Sequence, residues 1–178
     1  MQPTFREMMF PIEGTDMTPN QARGFKVVAG ESRTGEHYKM KGVTSNTLDV
    51  KISGADSNGG LSIMEQVGQS PQGGPPLHLH PDQDEFFYVV EGEYQFEVGG
   101  ERFGLSAGDT IFLPRAVPHA FIQLSQMARM VVGYQPAGQM EGFFRTTAAW
   151  TNPPSKEEVA QVFASHGMRV VGPPMKVS

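Results

Sequence analysis

Gly73-Gly74-Pro75-Pro76-Leu77-His78-Leu79-His80-Pro81-Asp82-Gln83-Asp84-Glu85, followed by Gly92, is the stretch from which the rest of the chain can be read. His78 and His80 are one residue apart, so on an extended strand their side chains share a face. If Glu85 resumes the strand after the Pro81-Asp82-Gln83 turn with its side chain inward, its carboxylate meets the histidine pair. A second segment, Gly108-Asp109-Thr110-Ile111-Phe112-Leu113-Pro114 leading to His119, offers a fourth group from a facing strand. Three imidazoles and one carboxylate suit one divalent transition metal per chain: Fe, Ni, Mn, Co, Cu or Zn.

Outward from this centre the chain reads as short strands. Tyr94-Gln95-Phe96-Glu97-Val98 alternates apolar and polar, Gly99-Gly100 makes a two-residue turn, and Glu101-Arg102-Phe103 resumes, which predicts a hairpin. Further strands are expected at Phe25 to Val28, Leu48 to Ile52, Leu61 to Met64, Thr110 to Leu113, His119 to Leu124 and Ala128 to Tyr134. Turn residues separate them and no long helix intervenes, so the expected class is all-β, an antiparallel barrel or sandwich. One helix is expected near the end, where Ser155 and Glu158 form a capping box ahead of Val159, Val162 and Phe163, and Gly167 stops it. Phe143, Phe144 and Trp150 are expected to anchor the C-terminal segment, and Met168 to Ser178 to run extended over the surface.

Composition narrows the function classes. The 178 residues allow one domain with a sizeable core. A net charge of -5 without any cluster of Lys and Arg disfavours nucleic acid and anionic membrane as partners. With no Cys there is no thiolate ligand and no cysteine nucleophile. The first twenty residues have neither a basic nor an apolar leader region, and no window holds eighteen apolar residues, so a cytoplasmic protein is the expectation.

The two segments resemble the two motifs of the cupin superfamily, over roughly residues 45 to 135. The chain departs from the cupin pattern at Ala116, where that pattern has Gly, and at Gln123, where it has Asn. The wider phrasing, with the tail from Glu141-Gly142-Phe143-Phe144 to Gly172-Pro173-Pro174, is similar to single-domain cupins of the quercetin 2,3-dioxygenase-like kind. The resemblance implies a small antiparallel β-barrel, or jelly roll, with a short C-terminal helix. It divides the chain into an N-terminal arm (1–24), a barrel (25–150, motifs within 73–123), and a C-terminal helix and tail packed on the barrel (151–178).

It also implies a metal on His78, His80, Glu85 and His119, with Glu85 doubling as general base, and a small-molecule substrate chelated through adjacent oxygens. The leading expectation is a dioxygenase acting on an aromatic or enol-type compound. An isomerase, epimerase or decarboxylase of a sugar or small acid is the alternative, and a non-catalytic binding module the third. Alternation adds Phe87 and Val89 on the side of Glu85, and Phe121 and Gln123 on the side of His119, as a largely apolar pocket. A homodimer is expected.

Other polar groups have simpler accounts. His37 and His166 sit in unpatterned contexts and are not expected to be ligands. Asp82 and Asp84 read as turn residues. Glu91, Glu93, Glu97 and Glu101 read as a solvated edge, and the scattered Met residues as packing filler.

Overall fold

Residues 24–40, 46–69, 71 and 73–176 are described by a computed structural model. The arm expected over 1–24 therefore lies, Gly24 apart, outside the described residues. Eleven strands form two antiparallel sheets. They are β1 (His37–Lys39), β2 (Asn46–Ile52), β3 (Ser62–Gly68), β4 (Pro76–Leu79), β5 (Asp84–Glu91), β6 (Glu93–Val98), β7 (Glu101–Ser106), β8 (Thr110–Leu113), β9 (His119–Gln123), β10 (Ala128–Gln135) and β11 (Arg169–Pro174). One sheet runs β1-β2-β3-β10-β5-β8 and the other β11-β4-β9-β6-β7, the two-sheet jelly-roll arrangement expected from the sequence.

Period-two patterning sets the inside of each strand. In β3, Ser62, Met64, Gln66 and Gly68 are buried while Ile63, Glu65 and Val67 are only partly so. In β5 the buried residues are Glu85, Phe87 and Val89. The strand β9 is buried at all five positions because it lies centrally in its sheet. At the β6–β7 hairpin Val98 pairs with Glu101, and both Gly99 (φ +60°) and Gly100 (φ +87°) take the positive φ that a primed two-residue turn needs. Phe87, Phe96 and Phe121 pack ring against ring across the two sheets, with centroids 5.0 to 5.6 Å apart.

The expected helix is α2 (Lys156–Ser165), opened by the Ser155–Glu158 capping box. A second helix, α1 (Met140–Ala148), was not expected. Its N-cap, Gln139, makes no side-chain capping bond, but Met140, Phe143, Phe144 and Thr147 all fall on one buried stripe. The first turn is tied down instead by Glu141, whose carboxylate accepts hydrogen bonds from Ser53 Oγ (2.9 Å) and the Gly54 N–H (2.8 Å).

Two further expectations are corrected. Phe25 to Val28 is not a strand: it has no strand to pair with, and Phe25 and Val28 stay exposed, the Phe25 ring lying under the Arg33 guanidinium. The tail does more than cross the surface, since β11 pairs with β4 and extends the second sheet on the side of the histidine pair. No described helix is long and apolar enough to cross a membrane.

Candidate metal centre

The strand β4 presents His78, the turn after it His80, β5 Glu85 and β9 His119. All four are buried, with 7%, 2%, 4% and 3% of their surfaces exposed, and one donor atom from each lies within 4.8 Å of all the others. The sequence-predicted ligand set is therefore one cluster in space. His78 pairs directly with His119 across β4 and β9, and their ring centroids are 4.5 Å apart.

Each imidazole is held through its outer nitrogen. The Nδ1 of His78 lies 2.9 Å from the Pro76 carbonyl oxygen, that of His119 3.0 Å from the Val117 carbonyl oxygen, and that of His80 2.5 Å from Gln83 Oε1. Those three acceptors assign the N–H to Nδ1 and leave the Nε2 lone pair facing inward. The Nε2 atoms of His80 and His119, and Oε2 of Glu85, are fully buried; His119 Nε2 and Glu85 Oε2 lie 3.0 Å apart, and none of the three makes a hydrogen bond of regular geometry among the described residues. Orphaned buried acceptors of this kind carry a desolvation cost unless something electrophilic meets them. The residues present thus fit a cation.

Electrostatics favours the ligating protonation states. Burial, reinforced by His119 and His80, holds His78 well below the ordinary imidazole range. Burial also lowers His80, against the opposing pull of Glu85. Burial pushes the Glu85 carboxyl up, but the His119 contact and the surrounding imidazoles more than offset it and hold the group at about 2. His78 and His80, held neutral, and an ionised Glu85 need lose no proton to bind a metal.

The cluster opens on a cavity of about 50 Å³. Phe87 and Phe121 lie on its wall as expected, with Met40, Leu48, Gln66, Tyr134, Phe143, Phe144, Thr147 and Phe163. Among the described residues no Lys or Arg lines it, and Glu85 is its one carboxylate. Val89 and Gln123 are both buried on the expected faces and do not line this cavity. Alternation gives the face and not the depth along the barrel. Gln123 sits level with Tyr94, one pleat beyond Phe121 and Phe96, and its amide donates to the Ser125 carbonyl at 2.8 Å.

Three wall or support residues escaped the sequence reading. Gln83 braces His80 and donates from Nε2 to the Pro136 carbonyl at 2.6 Å; no motif marks it. Gln66 and Tyr134 were findable from the alternation in β3 and β10. Burial, then the charge of Glu85, holds the Tyr134 phenol protonated. Asp82 is exposed in the turn as expected, whereas Asp84 is the first residue of β5, paired with Gln135, and its carboxylate holds Arg115. His37 pairs with Asp49 at 2.6 Å and His166 closes α2, so neither belongs to the cluster.

Comparison with known proteins falls on the same residues. Residues 67–134 match the cupin domain family. The chain is 29% identical to the polyketide synthase CurC of Streptomyces cyaneus over 126 residues, 70% of this chain and 68% of that one. It is 36% identical to quercetin 2,3-dioxygenase of Bacillus subtilis over 56 residues, 32% of this chain and only 17% of that enzyme. Among solved structures it is similar to an RmlC-like cupin from Shewanella frigidimarina (TM-score 0.53, 22% identity, 66% of this chain and 95% of that one). The cupin domain match over residues 67–134 spans all four residues of the cluster and the strands that carry them, and the two antiparallel jelly-roll sheets have the fold of the cupin structures it is similar to.

Proposed function

We propose that this chain is a metal-dependent cupin dioxygenase of an aromatic or enol-type small molecule. The observation that carries the reading is an unsaturated donor set, three imidazoles and one carboxylate, on the wall of a cavity lined mostly by aromatic and aliphatic side chains. A bound transition metal would supply Lewis acidity and, if redox-capable, a path for electrons to dioxygen. Glu85 is ionised at neutral pH and accepts the proton of an acidic enol or phenol hydroxyl. The Phe87, Phe121 and Phe143 rings exclude water and offer faces to an aromatic substrate. The partial likeness to quercetin 2,3-dioxygenase supports the oxygenase class.

A second reading, Lewis-acid chemistry on an enolisable ketone or acid without oxygen, is favoured by the longer alignment with CurC, a polyketide synthase. A sugar or sugar phosphate fits this wall less well, because among the described residues no Lys or Arg lines it. The test is elemental analysis of protein purified without chelator. It is followed by oxygen-electrode traces with catechols, flavonols and β-diketones after reloading with Fe, Ni, Mn or Co. One equivalent of metal with substrate-dependent oxygen uptake is expected. Metal without uptake would select the second reading, and failure to bind any metal would leave a small-molecule-binding protein.

A further inference from the structure

A run of ring contacts lines one side of the cavity. From His78 it runs to Phe163 (5.1 Å between centroids), Phe143 (4.9 Å), Phe144 (5.1 Å), Tyr134 (6.3 Å) and back to His80 (6.2 Å). The barrel contributes the two ends, whereas α1 and α2 contribute the middle. The free space beneath is about 50 Å³, whereas an apolar cavity that accepts benzene is roughly 150 Å³. A one-ring ligand therefore needs room that this arrangement does not offer.

One member of the run is the least secured. Phe163 is the one fully buried residue of α2, with Val159 and Val162 packed partly buried against the core beside it, and its ring stands between His78 and Phe143. Phe87 and Phe121, by contrast, lie on strands hydrogen-bonded along both edges. Next to α2, the pairing of β11 with β4 is irregular between Val170 and Pro174. A peripheral helix with one fully buried side chain, beside an irregular sheet edge, opens at lower cost than a central strand.

We propose that Phe163 is the specificity-determining residue of this cavity, setting the largest ring system admitted and the rate at which it enters. The substrate class then follows as single-ring or similarly small neutral molecules, admitted by displacement of Phe163, with fused and multi-ring compounds excluded. This rests on the reading of the His78 cluster as the metal and substrate site.

Binding of catechol and 2,3-dihydroxynaphthalene to the zinc-loaded protein, which binds without turnover, tests the proposal in wild type, Phe163→Ala, Phe163→Leu and Phe121→Ala. Expected is a gain of at least about tenfold for the naphthalenediol relative to catechol in Phe163→Ala, with Phe163→Leu between. Association should be faster in the Phe163 variants than in Phe121→Ala, which removes a ring carried by a central strand. Benzene and naphthalene binding to the metal-free protein repeats the comparison independently of metal. If the cluster binds no metal, that arm still decides the role of Phe163. An unchanged size preference in a folded Phe163→Leu protein, or equal wild-type affinity for one and two rings, overturns the proposal.

Discussion

His78 and His119 face each other as a registered pair between β4 and β9, with ring centroids 4.5 Å apart. One backbone register therefore places two ligands at once, and a slip of one residue would turn one of them out of the barrel. His78→Ala or His119→Ala is expected to abolish metal loading. His37→Ala, which removes only a half-exposed pairing with Asp49, should leave loading intact. Elemental analysis reads the occupancy. Metal at a hundredfold its Kd should stabilise the wild type by about 2.7 kcal/mol and the two ligand variants by none. A His119→Ala protein that kept full metal would refute the ligand set.

Gln83 is expected to matter nearly as much as a ligand. Its Oε1 fixes the His80 tautomer while its Nε2 is itself held by the Pro136 carbonyl, so His80 is oriented by a two-bond chain. Gln83→Leu keeps the bulk and removes both bonds. Metal affinity, followed by chelator competition, should fall about 10- to 100-fold. Unchanged affinity would show that packing alone orients the ring.

Acid should destabilise the metal-free protein early. His78 and His80 have folded pKa values below those of the unfolded chain. Above pH 6.5 both states are neutral there and nothing is lost. As the pH falls below it, the unfolded chain binds protons that the folded one refuses, costing up to about 1.4 kcal/mol per pH unit per histidine. Glu85, held low, adds stability above its unfolded value of 4.5 that is lost as the pH falls towards 2. Urea midpoints at pH 7.5, 6.0 and 5.0 should therefore decline steadily. A His78→Asn variant should decline less between pH 6.5 and 5.

The features legible in the sequence were those with a local cause. Alternation with a Gly-Gly turn located the β6–β7 hairpin, and the His-Leu-His spacing located two ligands on one strand face. The helix α1 was hidden because Gly142 and the Thr146-Thr147 pair lower its intrinsic propensity and Gln139 gives no cap; only the 140, 143, 144, 147 stripe betrays it. Gln83 was missed because its role depends on a carbonyl from Pro136, far along the chain. Val89 and Gln123 were assigned the right face and do not line the cavity, since a period of two carries no information about position along a barrel axis.

Ala116 marks the clearest remaining departure from the cupin pattern, and it has a measurable consequence. It stands in the turn between β8 and β9, where its N–H donates to the His80 carbonyl at 2.7 Å, and it does so with φ at +62°. That bond fastens the approach to His119 onto the residue carrying a second ligand, so the backbone there cannot relax to a negative φ without releasing His80. An alanine in the left-handed region costs about 1–2 kcal/mol that a glycine does not. Against this, glycine gives the unfolded chain about 0.4–1 kcal/mol of extra freedom. Ala116 is exposed, so no packing is lost in the exchange. Ala116→Gly is therefore expected to stabilise the metal-free protein by about 0.5–1 kcal/mol, read from urea unfolding, with metal affinity unchanged. Ala116→Val, whose branched side chain tolerates this φ worse, should destabilise it and loosen His80. A neutral or destabilising Ala116→Gly would show that the turn is not strained.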